Sequence, residues 1–186
     1  MKAGEKTRQR ILKESDRLFY TRGYNHTSFG DIVKATGLSK GNITYHFKTK
    51  RDILEGIIAM RLAHIRKELE AWEAHTDDPM ERLALFCDMI VSHQDEIEAY
   101  GCPMGTLTAE FAKSDPELYE VTSVLFLTYK DWLSKQYAAM GAHNPDEAAL
   151  CFLSRVQGAA MVAHAFQDRA FLAREIGRVK RICKEG

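Results

Sequence analysis

The chain has 186 residues, 45% of them hydrophobic, with 26 Lys and Arg against 26 Asp and Glu and a formal net charge of zero. A core of one or two small domains is affordable at that composition. A membrane span, a secretory signal and a zinc site are not expected: the most apolar charge-free stretch, Val156–Gln167, is shorter than the ~20 residues a span needs, no apolar segment follows the start MKAGEKTRQR, and Cys87, Cys102, Cys151 and Cys183 form no CxxC pair, which fits a reducing cytoplasm.

The zero total is a cancellation. Residues 1–51 carry twelve basic and four acidic groups, net +8, and residues 52–186 carry net −8. Two parts with different partners are expected, a 1–51 domain suited to an anionic polymer and a 52–186 domain of ordinary mixed charge. Apolar spacing is helical from end to end, without sustained alternation of period two, so the fold class is all-α. Helices are expected over 6–22, 29–36, 40–46, 49–73, 79–98, 103–113, 116–139, 145–166 and 168–183. The four prolines, Pro79, Pro103, Pro116 and Pro145, all read as first-turn residues; Asp78, Asp115 and Asn144 stand before three of them as caps.

Residues 28–47 carry the clearest chemistry. Ser28 caps a first short helix whose packing face is Ile32, Val33 and Ala35, and Gly37 ends it with positive φ. Leu38 plugs the turn, Ser39 caps a second helix, and Ile43 and Phe47 face inward. This is a helix-turn-helix, and its second helix would lie in a DNA major groove. Lys40, Gly41, Asn42, Thr44, Tyr45 and His46 would then be exposed to phosphates and base edges. Glycine inside a helix costs roughly 1 kcal/mol relative to alanine, so Gly41 implies a close approach, most simply by the DNA backbone. Lys48 and Lys50 at the start of the next helix, with Thr27 and Ser28 before the first, suit phosphate contacts.

The run Phe19-x3-Gly23-Tyr24-x2-Thr27, followed by Ile32-Val33-x-Ala35-x-Gly37-Leu38-Ser39-Lys40-Gly41-Asn42-Ile43-x-Tyr45-His46-Phe47-x2-Lys50-x2-Ile53-Leu54, resembles the TetR/AcrR family of transcriptional regulators over about 50 residues. Thr44 departs from the pattern, since many members carry Tyr or Phe there. The resemblance implies a three-helix DNA-binding domain, a linking fourth helix, and a larger helical ligand-binding and dimerisation domain. It also implies a homodimeric repressor that leaves double-stranded DNA when a small-molecule effector binds.

Beyond the first domain, Gly101-Cys102-Pro103-Met104-Gly105-Thr106-Leu107 is the most unusual segment. Cys102 is placed to cap the helix that Pro103 opens, where the helix dipole favours a reactive thiolate. The segment resembles a Gly-Cys-x-x-Gly-x-Leu stretch of one group of family members, some of which sense electrophiles or oxidants through cysteine. Two readings stand: a sensor, or a small residue packing at a helix entry. Effector-lining residues are expected among Phe86, Met89, Cys102, Met104, Leu107, Thr108, Phe111, Phe126 and Tyr129, a set of which most is plain core and which implies a largely apolar ligand. His93 and His164 are possible polar handles. The helix 145–166 is apolar nearly all round and needs covering on several sides. Phe152, Val156, Ala159, Ala160 and Ala163, with Ile176, Val179 and Ile182 of the last helix, are expected at a two-fold four-helix interface; intrachain core is the alternative. Cys87, Cys151 and Cys183 read as packing residues. No P-loop, GxGxxG, GxSxG or HExxH occurs and no cofactor is implied, so an enzyme using Cys102 as nucleophile is a weaker alternative, and the +8 block of residues 1–51 argues against a helical ligand-binding module without DNA.

Overall fold

The computed structural model describes residues 3–185, and the side chains of 4–181. Ile182 and Cys183, expected at the interface and in packing, lie outside the described side chains. Among the described residues ten helices follow one another: α1 (Ala3–Arg22), α2 (Phe29–Thr36), α3 (Lys40–His46), α4 (Lys50–His75), α5 (Pro79–Ser92), α6 (Gln94–Tyr100), α7 (Gly105–Phe111), α8 (Pro116–Ala139), α9 (Pro145–Phe166) and α10 (Arg169–Glu185). No strand occurs among the described residues, and the fold is all-α as the spacing requires.

Local chemistry explains most boundaries. Asp78 accepts from the Met80 amide at 2.9 Å, Asp115 from Leu118 at 3.0 Å and Asn144 from Glu147 at 3.3 Å, each beside a proline that opens its helix. Caps of this kind contribute about 1 kcal/mol each. The helix expected over 79–98 is two, broken at His93. There the Ser92 hydroxyl donates to the Met89 carbonyl at 2.7 Å and the His93 ring lies 2.9 Å from the same oxygen, so side chains compete with the backbone ladder. The helix expected to open at Pro103 starts at Gly105, preceded by a turn.

The chain forms two compact units, which group it differently from charge. The first comprises residues 1–63 and 106–123 and the second 64–105 and 124–186. The basic segment thus shares its unit with the first half of α4, most of α7 and the start of α8. Apolar packing and charge both join these segments: Phe111 meets Tyr24 edge-on, and Glu117 pairs with Arg51 at 2.6 Å. In the first unit Ile11, Leu12, Ile32, Ile43, Ile53, Leu54 and Ile57 are fully buried. Gly56 lets α4 close on this core, because a Cβ there would lie 2.8 Å from Leu12 Cδ2 and 3.1 Å from Phe47 Cε1.

The second unit is built on an aromatic cluster. Phe86 meets Trp72, Tyr129, Trp132 and Phe152, with ring centroids 5.2–6.5 Å apart. The Trp132 indole donates to Glu73 at 2.9 Å. Helix α10 packs on α9 and α5, and α6 on α9. By length and composition α9 matches a membrane span although no single charge-free stretch in it is that long, yet its inner face (Phe152, Val156, Ala159, Ala160, Ala163) is core of the unit.

Candidate functional site

The helix-turn-helix is set by two caps and one glycine. Ser28 accepts from the Asp31 amide at 3.1 Å, and the Asp31 carboxylate accepts from the Ser28 amide at 2.9 Å, a reciprocal capping box. Hydrogen bonds from the Ser28 hydroxyl and then its amide hold the Asp31 carboxyl below the usual carboxylate range. Gly37, at φ +64°, ends α2 in the left-handed region that favours glycine. Ser39 caps α3 by accepting from Asn42 N at 3.2 Å. Ile43 turns inward and is fully buried.

The opposite face of α3 is open. Lys40, Gly41, Asn42 and Tyr45 are exposed, Thr44 and His46 half-buried. Tyr45 is 78% exposed, with the His46 ring edge-on at 5.1 Å. A Cβ added to Gly41 would meet only Ser39 Oγ, at 4.0 Å. The protein itself therefore gives no reason for a glycine at this position. The Thr44 hydroxyl lies within donating distance of both the Lys40 and Gly41 carbonyls, at 3.0 and 3.1 Å.

The expected phosphate clamp at the start of α4 has a different construction. The Asp52 carboxylate accepts from the Lys48 and Thr49 amides, both at 2.9 Å, and Thr49 caps Asp52 N at 3.1 Å. Those amides are occupied within the chain, and of the two lysines expected in the clamp Lys48 is the exposed one. Lys50 turns inward: its ammonium donates to the Tyr24 and Thr27 carbonyls at 2.9 and 3.1 Å and sits 4.0 Å from the centre of the Tyr24 ring. Burial pushes its pKa below the ordinary lysine value, and the nearby Glu110 opposes that shift. Thr27 is buried, with its hydroxyl on the Gly23 carbonyl at 2.8 Å. Thr27 and Lys50 hold the loop before α2, a use that spacing alone does not reveal.

Of the residues expected to line an effector site, Thr108 and Phe111 belong to the first unit, and Phe86, Met89, Cys102, Met104, Phe126 and Tyr129 to the second. Phe111 is buried edge-on against Tyr24, centroids 5.0 Å apart, so it anchors α7 to the loop before α2. Thr108 Oγ1 is buried without a hydrogen bond among the described residues. Phe86 and Tyr129 meet at 5.2 Å, and burial first, then the charge of Glu68, raises the Tyr129 phenol above its usual range. Cys102 is half-buried and its Sγ accepts from Gly105 N at 3.4 Å, but the helix starts only at Gly105, so Cys102 stands before the turn and not at the cap expected of it. Phe126 lines an open apolar groove of about 320 Å³ with Leu127, Lys130, Leu150, Leu153, Ser154 and Gln157. His93 serves the α5–α6 break, and His164 lies 2.7 Å from the Glu98 carbonyl.

The interface expectation needs correction. Phe152, Val156, Ala159, Ala160, Ala163, Ile176 and Val179 are all buried within the single chain. Helix α9 is apolar on both sides, so its sequence cannot say which side is core. The side left uncovered carries Leu150, Met161, Val162 and Phe166, with Met161 75% and Phe166 78% exposed, and α8 adds exposed Leu127. Sequence reasoning also missed Glu110, whose partners are backbone amides of residues 24 and 25 and leave no side-chain pattern to read.

Comparison with known proteins follows the same lines. Residues 11–57 match the family described as bacterial regulatory proteins, tetR family. Over 134 residues, 69% of this chain and 68% of the other, the sequence is 33% identical to the HTH-type transcriptional regulator LmrA of Bacillus subtilis (strain 168). It is 26% identical over 174 residues, 87% of this chain and 85% of the other, to an HTH-type transcriptional regulator in the lacX 3' region of Lactococcus lactis subsp. lactis. The fold is shared with a TetR-family regulator from Agrobacterium tumefaciens at a TM-score of 0.85 and 21% identity, covering 96% of this chain and 98% of that one.

Proposed function

Because the chain belongs to the TetR family of bacterial transcriptional regulators, and is not an enzyme, we propose that it is a repressor that binds a near-palindromic operator as a homodimer and leaves it when a small, largely apolar or electrophilic effector binds. The observation that carries this reading is the outer face of α3, where Lys40, Gly41, Asn42 and Tyr45 are exposed and an unobstructed glycine has no role within the chain. Asn42, Thr44, Tyr45 and His46 face the base edges, and Ser39, Lys40 and Lys48 take phosphates, while both Ser28 donors are held by Asp31. Thr27 and Lys50 support them by holding the loop. Residues 1–51 supply the basic surface, and 52–186 supply the effector site and the dimer contact.

The dimer forms through the outer face of α9, whose Leu150, Met161, Val162 and Phe166 are an apolar stripe suited to self-association. The effector occupies the second unit near Phe86, Met89, Cys102, Met104, Phe126 and Tyr129. It acts by population shift: a ligand that prefers a conformation with unsuitable half-site spacing lowers DNA affinity, and DNA lowers ligand affinity by the same factor. Such a protein works in the cytoplasm, with DNA, effector and its own second copy as partners.

Selection of duplexes from a random pool, followed by binding at graded salt, tests the reading. A recovered near-palindromic site is expected, with log K falling against log salt by about 0.9 per phosphate contact. Lys48→Ala should weaken binding to every duplex alike, whereas Asn42→Ala should change the preferred sequence. Recovery of no duplex at low salt would overturn the proposal.

A further inference from the structure

The loop between α1 and α2 is gripped from two sides by opposite charges. Glu110, on α7, accepts from the Asn25 amide at 2.7 Å and the Tyr24 amide at 3.0 Å, one carboxylate oxygen to each. Lys50, on α4, donates to the Tyr24 and Thr27 carbonyls of the same loop. The Tyr24 ring fills the space between, edge-on to Phe19 and to Phe111, each at 5.0 Å. Gly23 leads into the loop at φ +87°, and a Cβ there would stand 3.4 Å from a Glu110 oxygen. The residue after Thr27 is Ser28, the cap of α2.

A carboxylate in this unit has an electrostatic cost for function. A protein that approaches a polyanion loses affinity with each negative charge it brings along. Two charge-assisted bonds to consecutive amides are a strong compensating reason for keeping one, because they restrain the loop more firmly than a neutral acceptor does. Glu117 belongs to the same segment but pairs with exposed Arg51 at 2.6 Å and touches no loop backbone, which makes it a control of equal charge.

We propose that Glu110 is a positioning residue for DNA recognition: with Lys50 it holds the loop Gly23–Thr27 in the form that presents the start of α2 to a phosphate. The inference rests on the DNA-binding reading above. It is tested on the full chain with a duplex that the protein has selected from a random pool, comparing wild type, Glu110→Gln and Glu117→Gln at one temperature well below melting. Charge removal alone strengthens binding or leaves it unchanged, and that is the result expected for Glu117→Gln. Glu110→Gln should instead bind about five- to tenfold more weakly, with a salt slope shallower by about 0.9, one phosphate contact. A purely structural role would lower the melting temperature and leave both affinity and slope of the folded protein intact, overturning the proposal, as would tighter binding. Amide hydrogen exchange at Tyr24 and Asn25 should accelerate in Glu110→Gln, and unchanged protection there would overturn the clamp directly. If the wild type selects no duplex, the DNA reading fails and the recognition role with it, while faster exchange would still identify Glu110 as what holds the loop.

Discussion

Gly41 combines a known helix penalty with an empty neighbourhood, which separates stability from recognition at a single position. Gly41→Ala should stabilise the protein by about 1 kcal/mol, since nothing obstructs the new methyl group. For a chain of this size that raises the melting temperature by about 2–4 °C. The same methyl should weaken DNA binding by about tenfold or more by keeping the phosphate backbone away, roughly 1.4 kcal/mol. Thermal melting and a binding titration on the same sample check both signs, and improved melting with unchanged affinity would remove Gly41 from the contact surface. Lys50 makes the opposite point. Its position near the start of a helix reads as phosphate binding, but its ammonium is occupied by two carbonyls 23 and 26 residues back in the chain. Charge type was legible in the sequence; the direction of the side chain was not.

Helix α2 shows how much of an element local chemistry determines. Its ends, Phe29 and Thr36, lie where Ser28 and Gly37 place them. The capping box also carries a pH dependence. The folded-state Asp31 carboxyl lies below its unfolded value because Ser28 donates to its ionised form. Its stabilising effect is therefore complete above the unfolded pKa of about 4 and is lost as pH falls through the lower folded value. Melting curves from pH 6 to pH 3 should show a loss in wild type that is smaller in Asp31→Asn, and parallel curves would refute the role of the cap. Helix α9 is the contrasting case. Its caps and length were legible, but its phase was not, because apolar residues surround it. Seven of the eight residues expected at an interface are core, the eighth, Ile182, lying outside the described side chains, and the uncovered stripe is Leu150, Met161, Val162 and Phe166. The α5–α6 break at His93 escaped for a related reason: apolar spacing runs through it, and only the competition of Ser92 and His93 for the Met89 carbonyl ends the helix.

In the molecule taken whole, the uncovered α9 stripe predicts assembly. Met161→Asp together with Phe166→Asp should give a folded monomer by sedimentation, with circular dichroism unchanged. A monomer holds one half-site at a time, so affinity for a two-half-site duplex should fall at least about a hundredfold as the effective-concentration advantage disappears. A dimer that survives both substitutions would place the interface elsewhere. The charge halves of +8 and −8 were countable from the residue order alone, as were the all-helical class, the caps beside Pro79, Pro116 and Pro145, and the helix-turn-helix with its boundaries. Each rests on residues within a few positions of one another, where backbone geometry and hydrogen bonding are local. Tertiary structure alone decided that residues 106–123 join the unit of the basic segment, that Glu110 and Lys50 grip one loop, and which face of α9 is left bare. Those outcomes depend on which surfaces of distant segments fit together, and no short-range pattern in the chain records that fit.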